Sequence, residues 1–265
     1  MGDGGRYELK YVIEETRARA ITGFLRGYLR PSTYNRPGPI PGEPVVSLYF
    51  DSPDLLFYRQ AFAGIRNRMK LRVRYYDNDW DHPAFLEVKR RVSDVICKDR
   101  AMISREVVQQ LLRDGWPSLL HRSDHSALVC TKKQAAVRQQ FSYLSSIAQA
   151  RAVLYTTYIR EAFVGAEGES LRVTMDRQIR ATLYEGDDRV EVPSRGVPPN
   201  PRSIRPDSVV LELKFNGGCP QWMQRMVRVF NLYRRSVSKY CECVEAIGLP
   251  LRRHGLAEPQ RWTVA

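Results

Sequence analysis

The sequence contains no run of about 18 apolar residues, so no transmembrane helix is encoded. Its start is Gly-rich and then charged, without an apolar signal region, and the expectation is a soluble, cytoplasmic chain unless it sits beside a membrane partner. Cysteines are few and odd in number: Cys97, Cys130, Cys219, Cys241 and Cys243. Scattered spacing argues against a disulfide framework and fits a reducing compartment. Cys241 and Cys243 have no second Cys or His pair at zinc-site spacing, so they read as packing residues on a helix. The four histidines, His82, His121, His125 and His254, fall in loop-like or terminal contexts. No Ser-His-Asp or Cys-His arrangement stands out, so a His-based catalyst has no support. Low-complexity segments and clean linkers are also lacking, and residues 6–250 read as a single domain followed by a basic tail, 251–265. Acids are scarce relative to bases, giving a net charge of +13 and a pI near 9.7. That balance attracts anions, whether nucleic acid, acidic lipid or phosphorylated small molecules.

The richest feature is Arg66–Tyr76, where Arg66, Arg68, Lys70, Arg72 and Arg74 occupy alternate positions. On a strand, side chains alternate faces, so one face is a row of cations and the other carries Asn67, Met69, Leu71, Val73 and Tyr75. For a lone strand, alternation means a half-buried element with its charges in water. The remaining strands change that reading.

Arg6–Ile13 alternates Glu8 and Lys10 with Tyr7, Leu9, Tyr11 and Ile13. Strands are also expected over Val45–Phe50, Phe85–Arg91 (Glu87 and Lys89 on one face), Ile96–Ile103 (Lys98 and Arg100) and Ala152–Val164 (Tyr158 and Arg160). Leu171–Arg177 sets Arg172, Thr174 and Asp176 opposite Leu171, Val173 and Met175, with Ile179–Leu183 extending the sheet. Val209–Phe215 carries Glu212 and Lys214 on one face. Helical spacing or caps predict helices over Glu14–Leu29, after Asp51-Ser52-Pro53-Asp54, and over Ser104–Gly115, Thr131–Ala150, Gln221–Tyr233 and Val237–Ile247. Pro31–Pro44 and Pro193–Pro206 read as loops, and 116–130 is ambiguous.

Apart from the apolar Val45–Phe50, the strands thus repeat one design, an apolar face and a charged face, and several amphipathic helices need an apolar surface to cover. A layered fold would leave the charges in solvent. A closed antiparallel β-barrel of about eight strands reverses the arrangement: apolar faces point out under a jacket of α-helices, and charged faces line a bore. The expected fold class is therefore α+β, a barrel tunnel with a helical jacket. Two cations about 6 Å apart repel by roughly 3 kcal/mol at an effective dielectric of about 20, so such a bore needs counter-charges. Glu8, Glu87, Glu212 and Asp176 offset part of this, and a bound polyanion would offset the rest. Arg forks and Lys point charges suit a phosphate chain. A nucleic-acid binder would carry its cations as an outer patch, and its motifs are absent, so nucleic acid is not expected as a partner.

The ordered motifs Arg6-Tyr7-Glu8-Leu9-Lys10-Tyr11, Ser47-Leu48-Tyr49-Phe50-Asp51-Ser52-Pro53, Lys70-Leu71-Arg72-Val73-Arg74-Tyr75-Tyr76, Glu87-Val88-Lys89, Lys98-Asp99-Arg100, Tyr158-Ile159-Arg160, Arg172 through Asp176, Leu211-Glu212-Leu213-Lys214 and Ser238-Lys239-Tyr240 together resemble the VTC domain. This is the polyphosphate polymerase branch of the triphosphate tunnel superfamily, and the resemblance covers roughly Arg6 to Leu249. The wider superfamily often opens with Glu-x-Glu-x-Lys. Here the first Glu position is Arg6, as in the VTC branch, which turns the resemblance away from triphosphatases and adenylate cyclases.

The resemblance implies transfer of the γ-phosphoryl group of ATP onto a growing polyphosphate chain, with Mn2+ or Mg2+ as cofactor. Lys10, Arg72, Arg74, Lys89, Arg160 and Arg172 would clamp the triphosphate. Lys98 and Arg100 would guide the product end. Lys214, Ser238 and Lys239 would add phosphate contacts, and Tyr158 either bonds phosphate or fills space. Glu212 is the first-choice metal ligand, because a hard cation prefers carboxylate oxygen. Glu87 and Glu8 are either further ligands or counter-ions that hold neighbouring bases. Asp176 reads as structural. A tunnel triphosphatase or polyphosphatase and a non-catalytic polyphosphate-binding module remain as alternatives. The partners implied are ATP and polyphosphate. A membrane partner is left open, since some relatives carry attached membrane segments.

Overall fold

The alternating stretches form eight long strands: β1 (Arg6–Glu14), β3 (Glu43–Asp51), β4 (Arg68–Tyr75), β5 (Ala84–Val92), β6 (Val95–Ile103), β7 (Arg151–Gly165), β8 (Gly168–Leu183) and β10 (Ser208–Asn216). The computed structural model describes residues 6–77, 79–93, 95–115, 131–166, 168–186 and 201–249. The ambiguous stretch 116–130, most of the second Pro-rich loop and the basic tail lie outside the described residues. Two short strands, β2 (Arg30–Pro31) and β9 (Arg202–Ser203), pair with β7 and β8.

All neighbours pair antiparallel, in the order β1-β10-β8-β7-β3-β4-β5-β6. The sheet curls strongly but stops as a half-barrel. This corrects the expected closed barrel, because β1 and β6 do not pair. Part of the free edge of β1 is taken by the segment after the fifth helix. The amide of Arg235 donates to the carbonyl of Lys10 (2.9 Å), and Tyr11 forms a β-bridge with Arg234. Those backbone groups are satisfied by this segment rather than by β6. Side chains still span the seam, with Lys89 of β5 at 3.7 Å from Glu8 of β1.

The convex face is apolar and covered by helices. α1 (Glu15–Leu25) and α5 (Gln221–Val229) bury Ile21, Leu25, Met223 and Met226 against Tyr11, Leu211, Leu213 and Val173. On the other half, α3 (Arg105–Asp114) and α4 (Lys132–Ile147) set Val108, Leu111 and Phe141 on Leu48, Leu71, Val73, Leu86 and Val88. Burying each large aliphatic or aromatic side chain contributes about 1.5–3 kcal/mol, and this fixes which strand face turns outward. Ser104 and Thr131 start α3 and α4 by accepting from the amides of Val107 and Gln134.

Four helices are shorter than the periodicity predicts: α1 ends at Leu25 rather than Leu29, and α4 at Ile147 rather than Ala150. α5 ends at Val229, and α6 (Lys239–Ile247) starts behind its cap Ser238. The predicted strand Ile179–Leu183 is the end of β8, and β3 begins at Glu43, inside the Pro-rich stretch. The strand expected from Arg66 begins at Arg68, leaving Arg66 exposed before it.

α6 departs from the expected jacket. It packs into the concave face, where Val45, Leu154, Ile179, Ala181 and Val210 form an apolar floor beneath Tyr240, Cys241, Cys243 and Val244. The end of the half-barrel opposite Arg172 and Lys214 is thus plugged by a helix, and the charged lumen begins at the N-terminus of α6. This burial accounts for Cys241 and Cys243 as packing residues. The short helix α2 (Leu56–Phe62) supports α6 from the side: both contribute to the same apolar cluster through Tyr58 and Tyr240.

Candidate functional site: a cationic lumen

Strand register decides which residues share the concave face. In β4 and β5, Arg72 lies opposite Glu87 and Lys70 opposite Lys89. In β5 and β6, Glu87 faces Arg100 and Lys89 faces Lys98. Across β1, β10 and β8, the rows Glu8–Lys214–Arg172 and Lys10–Glu212–Thr174 run side by side. Because the period is two, these side chains share the concave face, and all but the buried Glu87 and Thr174 line one cavity of about 330 Å3. Eleven cations line it against three carboxylates, so the wall is strongly positive even when Glu87 and Asp176 behind it are added.

The first wall centres on Glu87, which is 1% exposed. Arg72 donates to Glu87 Oε2 (2.6–2.7 Å) and to the Tyr49 hydroxyl (2.9 Å). Lys98 and Arg100 lie 2.8 and 3.7 Å from Oε1, and Arg74 lies 3.6 Å from Oε2. Burial alone would raise the Glu87 pKa, but Arg72, Arg74 and Lys98 outweigh it and hold the carboxyl far below the usual range. Arg74 also donates to Ser47 and to Tyr158 (both 3.2 Å), so Tyr158 holds a lumen cation and fills space at once. Arg100 stacks its guanidinium on Phe85 at 3.6 Å from the ring centre.

The second wall centres on Asp176 and Glu212. Arg160 grips Asp176 through two bonds of 2.7 Å. Lys239, presented by the first turn of α6, sits between Asp176 (2.6 Å) and Glu212 (3.0 Å). Lys214 donates to Glu212 (2.8 Å), and Lys10 and Arg160 lie 3.7 Å away. Burial opposes ionisation of Glu212, yet Lys214, Lys239, Lys10 and Arg160 pull its pKa well below normal. Lys239 is buried too, but its two carboxylates push its pKa up. Asp176 therefore acts as a counter-ion that orients Arg160, in line with the structural reading.

The two walls meet at Glu8, Lys10, Lys70 and Lys89. Glu8 lies 3.1 Å from Lys10 and 3.7 Å from Lys89; burial raises its pKa, but Lys89, Lys10 and Lys214 bring it down to about 2. Burial lowers the Lys89 and Lys98 pKa values to about 8, against the pull of Glu8 and Glu87 respectively. Lys70 donates to Ser238 Oγ (2.7 Å), which also caps α6 by accepting from the Cys241 amide. Arg172 lines the same cavity. The structure thus gathers every expected site residue, with Glu87 set just beneath the lining.

The sequence reasoning missed four features. Tyr49 and Glu43 line the lumen, but β3 reads as uniformly apolar and Glu43 is hidden among prolines. Lys70 lines the lumen, although it was not among the residues expected to bind phosphate. Asp51 is 1% exposed and accepts from the amides of Ser52, Phe57 and Tyr58 and from the Tyr240 hydroxyl. Tyr240 in turn stacks on Tyr49 (4.7 Å), so Asp51 ties the start of α6 to the wall that holds Arg72. The pairing of an Asp-Ser-Pro helix start with a distant Ser-Lys-Tyr carried no local signal.

A divalent cation fits here on the chemistry of its donors. Glu212 offers hard carboxylate oxygens with Glu8 nearby, but four bases crowd it, and no group of three or more His, Cys, Asp or Glu gathers among the described residues. This donor set suits a metal that arrives with phosphate oxygens, not a cage built by protein alone.

A family model, VTC domain, matches residues 5–247. No curated protein sequence matches the chain. Among solved structures, a candidate adenylate cyclase from Vibrio parahaemolyticus aligns at 12% identity and TM-score 0.46, over 92% of this chain and 100% of its own. A candidate adenylate cyclase from Bacillus halodurans aligns at 12% identity and TM-score 0.45, over 90% of this chain and 96% of its own. No helix among the described residues is long and apolar enough to cross a membrane.

Proposed function

Because the chain belongs to the VTC domain family, we propose that it is a polyphosphate polymerase that moves the γ-phosphoryl group of ATP onto a polyphosphate chain held in the lumen. The observation that carries this reading is the excess of lumen cations over carboxylates, eleven against three, in a cavity whose bases are fixed by buried counter-ions. Phosphoryl transfer needs positioning and charge neutralisation more than covalent work by side chains. A terminal phosphate oxygen of the chain attacks the γ-phosphorus, the bond from γ-phosphorus to the β–γ bridging oxygen breaks, and ADP leaves. The attacking oxygen is already anionic, so no side chain has to remove a proton.

Arg72, Arg160 and Arg172 supply guanidinium forks for phosphate oxygens, supported by Arg74, Lys10 and Lys89. Lys98, Arg100 and Lys214 extend the clamp along the wall, and Ser238 and Lys239 close it from α6. Tyr158 is assigned the orienting role that its bond from Arg74 implies. Glu212, flanked by Glu8, would hold Mg2+ or Mn2+ jointly with phosphate oxygens, and that cation when bound withdraws charge from the reacting phosphates. Glu87 is assigned as a counter-ion, since it sits behind the cavity lining with Arg72 and Lys98 on its oxygens, whereas Glu212 lines the cavity itself. We take residues 6–250 as one working unit.

A hydrolase reading draws on one residue. Glu43 is buried, lines the lumen and forms no ion pair among the described residues; burial raises its pKa against the pull of Arg160 and Arg172. It could accept a proton from water. Incubation with ATP and Mg2+ or Mn2+ separates the readings. Long polyphosphate on a gel supports the polymerase. Orthophosphate alone, lost in Glu43→Gln, overturns it.

A further inference from the structure

The lumen does not end at the triphosphate clamp. A second cavity, of about 450 Å3, shares Glu8, Lys10, Lys70, Lys89 and Ser238 with the first, so the two spaces run into each other. Its outer rim adds Arg68, Arg91, Arg234 and Arg235, and Glu8 is its only acid. These arginines come from three places. Arg68 and Arg91 are register partners at the ends of β4 and β5. Arg234 and Arg235 lie on the segment stitched to the edge of β1 by the Arg235 amide and by the bridge from Tyr11 to Arg234. The backbone at the rim is therefore fixed. Arg234 and Arg235 are exposed and pair with no carboxylate among the described residues.

No Phe, Tyr or Trp lines this second cavity. Proteins that hold single-stranded nucleic acid stack bases on aromatic side chains as well as neutralising the backbone. A rim of arginines without a stacking surface suits a polyanion without bases. The wall around Arg100 differs, with its guanidinium stacked on Phe85 and near Tyr76.

We propose that the Arg68, Arg91, Arg234 and Arg235 rim binds the part of a linear polyphosphate chain that extends beyond the clamp, so that affinity grows with chain length on this side of the lumen. This assignment rests on the reading of the lumen as a phosphate clamp. It makes the rim a length-selective subsite and gives the chain a direction through the half-barrel.

Titration calorimetry with tripolyphosphate and with long-chain polyphosphate, over a range of salt, tests it without requiring turnover. In Arg234→Ala/Arg235→Ala, long-chain affinity is expected to fall by about tenfold and its salt slope by about 1.4, with a much smaller change for tripolyphosphate. Arg234→Lys/Arg235→Lys keeps the charge and is expected to retain most of the long-chain affinity. Unchanged melting temperatures check that both variants are folded. Equal losses for the two ligands, or no loss for either, overturn the assignment. A single-stranded oligonucleotide that binds as tightly as long-chain polyphosphate, with the same dependence on these arginines, overturns polyphosphate as the occupant. Failure of the wild type to bind tripolyphosphate has a different meaning: it removes the clamp itself, and the rim with it.

Discussion

Replacing Glu87 by Gln should make the empty protein less stable and its anion binding tighter. Glu87 is 1% exposed and holds Arg72 at 2.6 Å, Lys98 at 2.8 Å, Arg74 at 3.6 Å and Arg100 at 3.7 Å. The Arg72 contact alone is roughly 6 kcal/mol of gross Coulomb energy at an effective dielectric of about 20, most of it offset by desolvation. Lys98 and Arg100 are partly exposed, so their share is screened. Removing one partner of a buried pair typically costs about 3–5 kcal/mol, because the remaining charge is left uncompensated. At about 2–4 °C per kcal/mol, the melting temperature should fall by roughly 6–20 °C. The Glu87 carboxyl is held far below its usual pKa, so it is charged throughout the neutral range and the loss should be flat there. Tripolyphosphate supplies the missing negative charge, so binding should recover part of the loss. A recovery of about 1.4 kcal/mol appears as tenfold tighter binding than wild type. Calorimetric melting with and without tripolyphosphate reads both quantities. A destabilised variant that gains no more from tripolyphosphate than wild type would refute the idea that ligand and Glu87 neutralise the same cations.

Three further outcomes follow from the lumen and its supports. Lys89 and Lys98 titrate at about 8 when the lumen is empty, because burial penalises their charge. A bound polyanion favours the charged form, so affinity for tripolyphosphate should be level below about pH 7 and fall by up to about tenfold per unit per lysine as pH rises through about 8; a flat profile to about pH 9.5 would sink this. Gly42 has φ +144°, and an added Cβ would lie 2.6 Å from the Arg160 carbonyl oxygen, so Gly42→Ala should cost roughly 3 kcal/mol or more in denaturant unfolding. Tyr240→Phe deletes the bond to buried Asp51 while keeping the ring on Tyr49; a loss of about 1–3 kcal/mol is expected, with weaker tripolyphosphate binding as Ser238 and Lys239 lose their anchor.

The lumen was legible because charge and strand period coincide. Arg72, Arg74, Lys89 and Arg160 fall on the same face as soon as β4, β5 and β7 are recognised, and apolar partners such as Leu71 and Val88 show which face the helices must cover. The open seam was not legible. Arg234 and Arg235 fall between the two predicted closing helices, where the sequence carries no strand pattern, and only the three-dimensional course of the chain brings their backbone to β1. The placement of α6 was hidden for a related reason. Val45, Leu154, Ile179 and Val210 are apolar residues on the nominally charged face, and strands apolar on both faces carry no alternation to read. Glu87 illustrates the limit for single residues: its strand face was evident, but four competing cations decide whether it serves a metal or its neighbours.

The most direct test of the central claim is a diffraction structure of the protein soaked with tripolyphosphate and Mn2+. Phosphate oxygens within hydrogen-bonding distance of Arg72, Arg160 and Arg172, inside the curl of the sheet, are the predicted result. Phosphates found only on the outer surface, with the lumen bases still paired as they are without ligand, would contradict it.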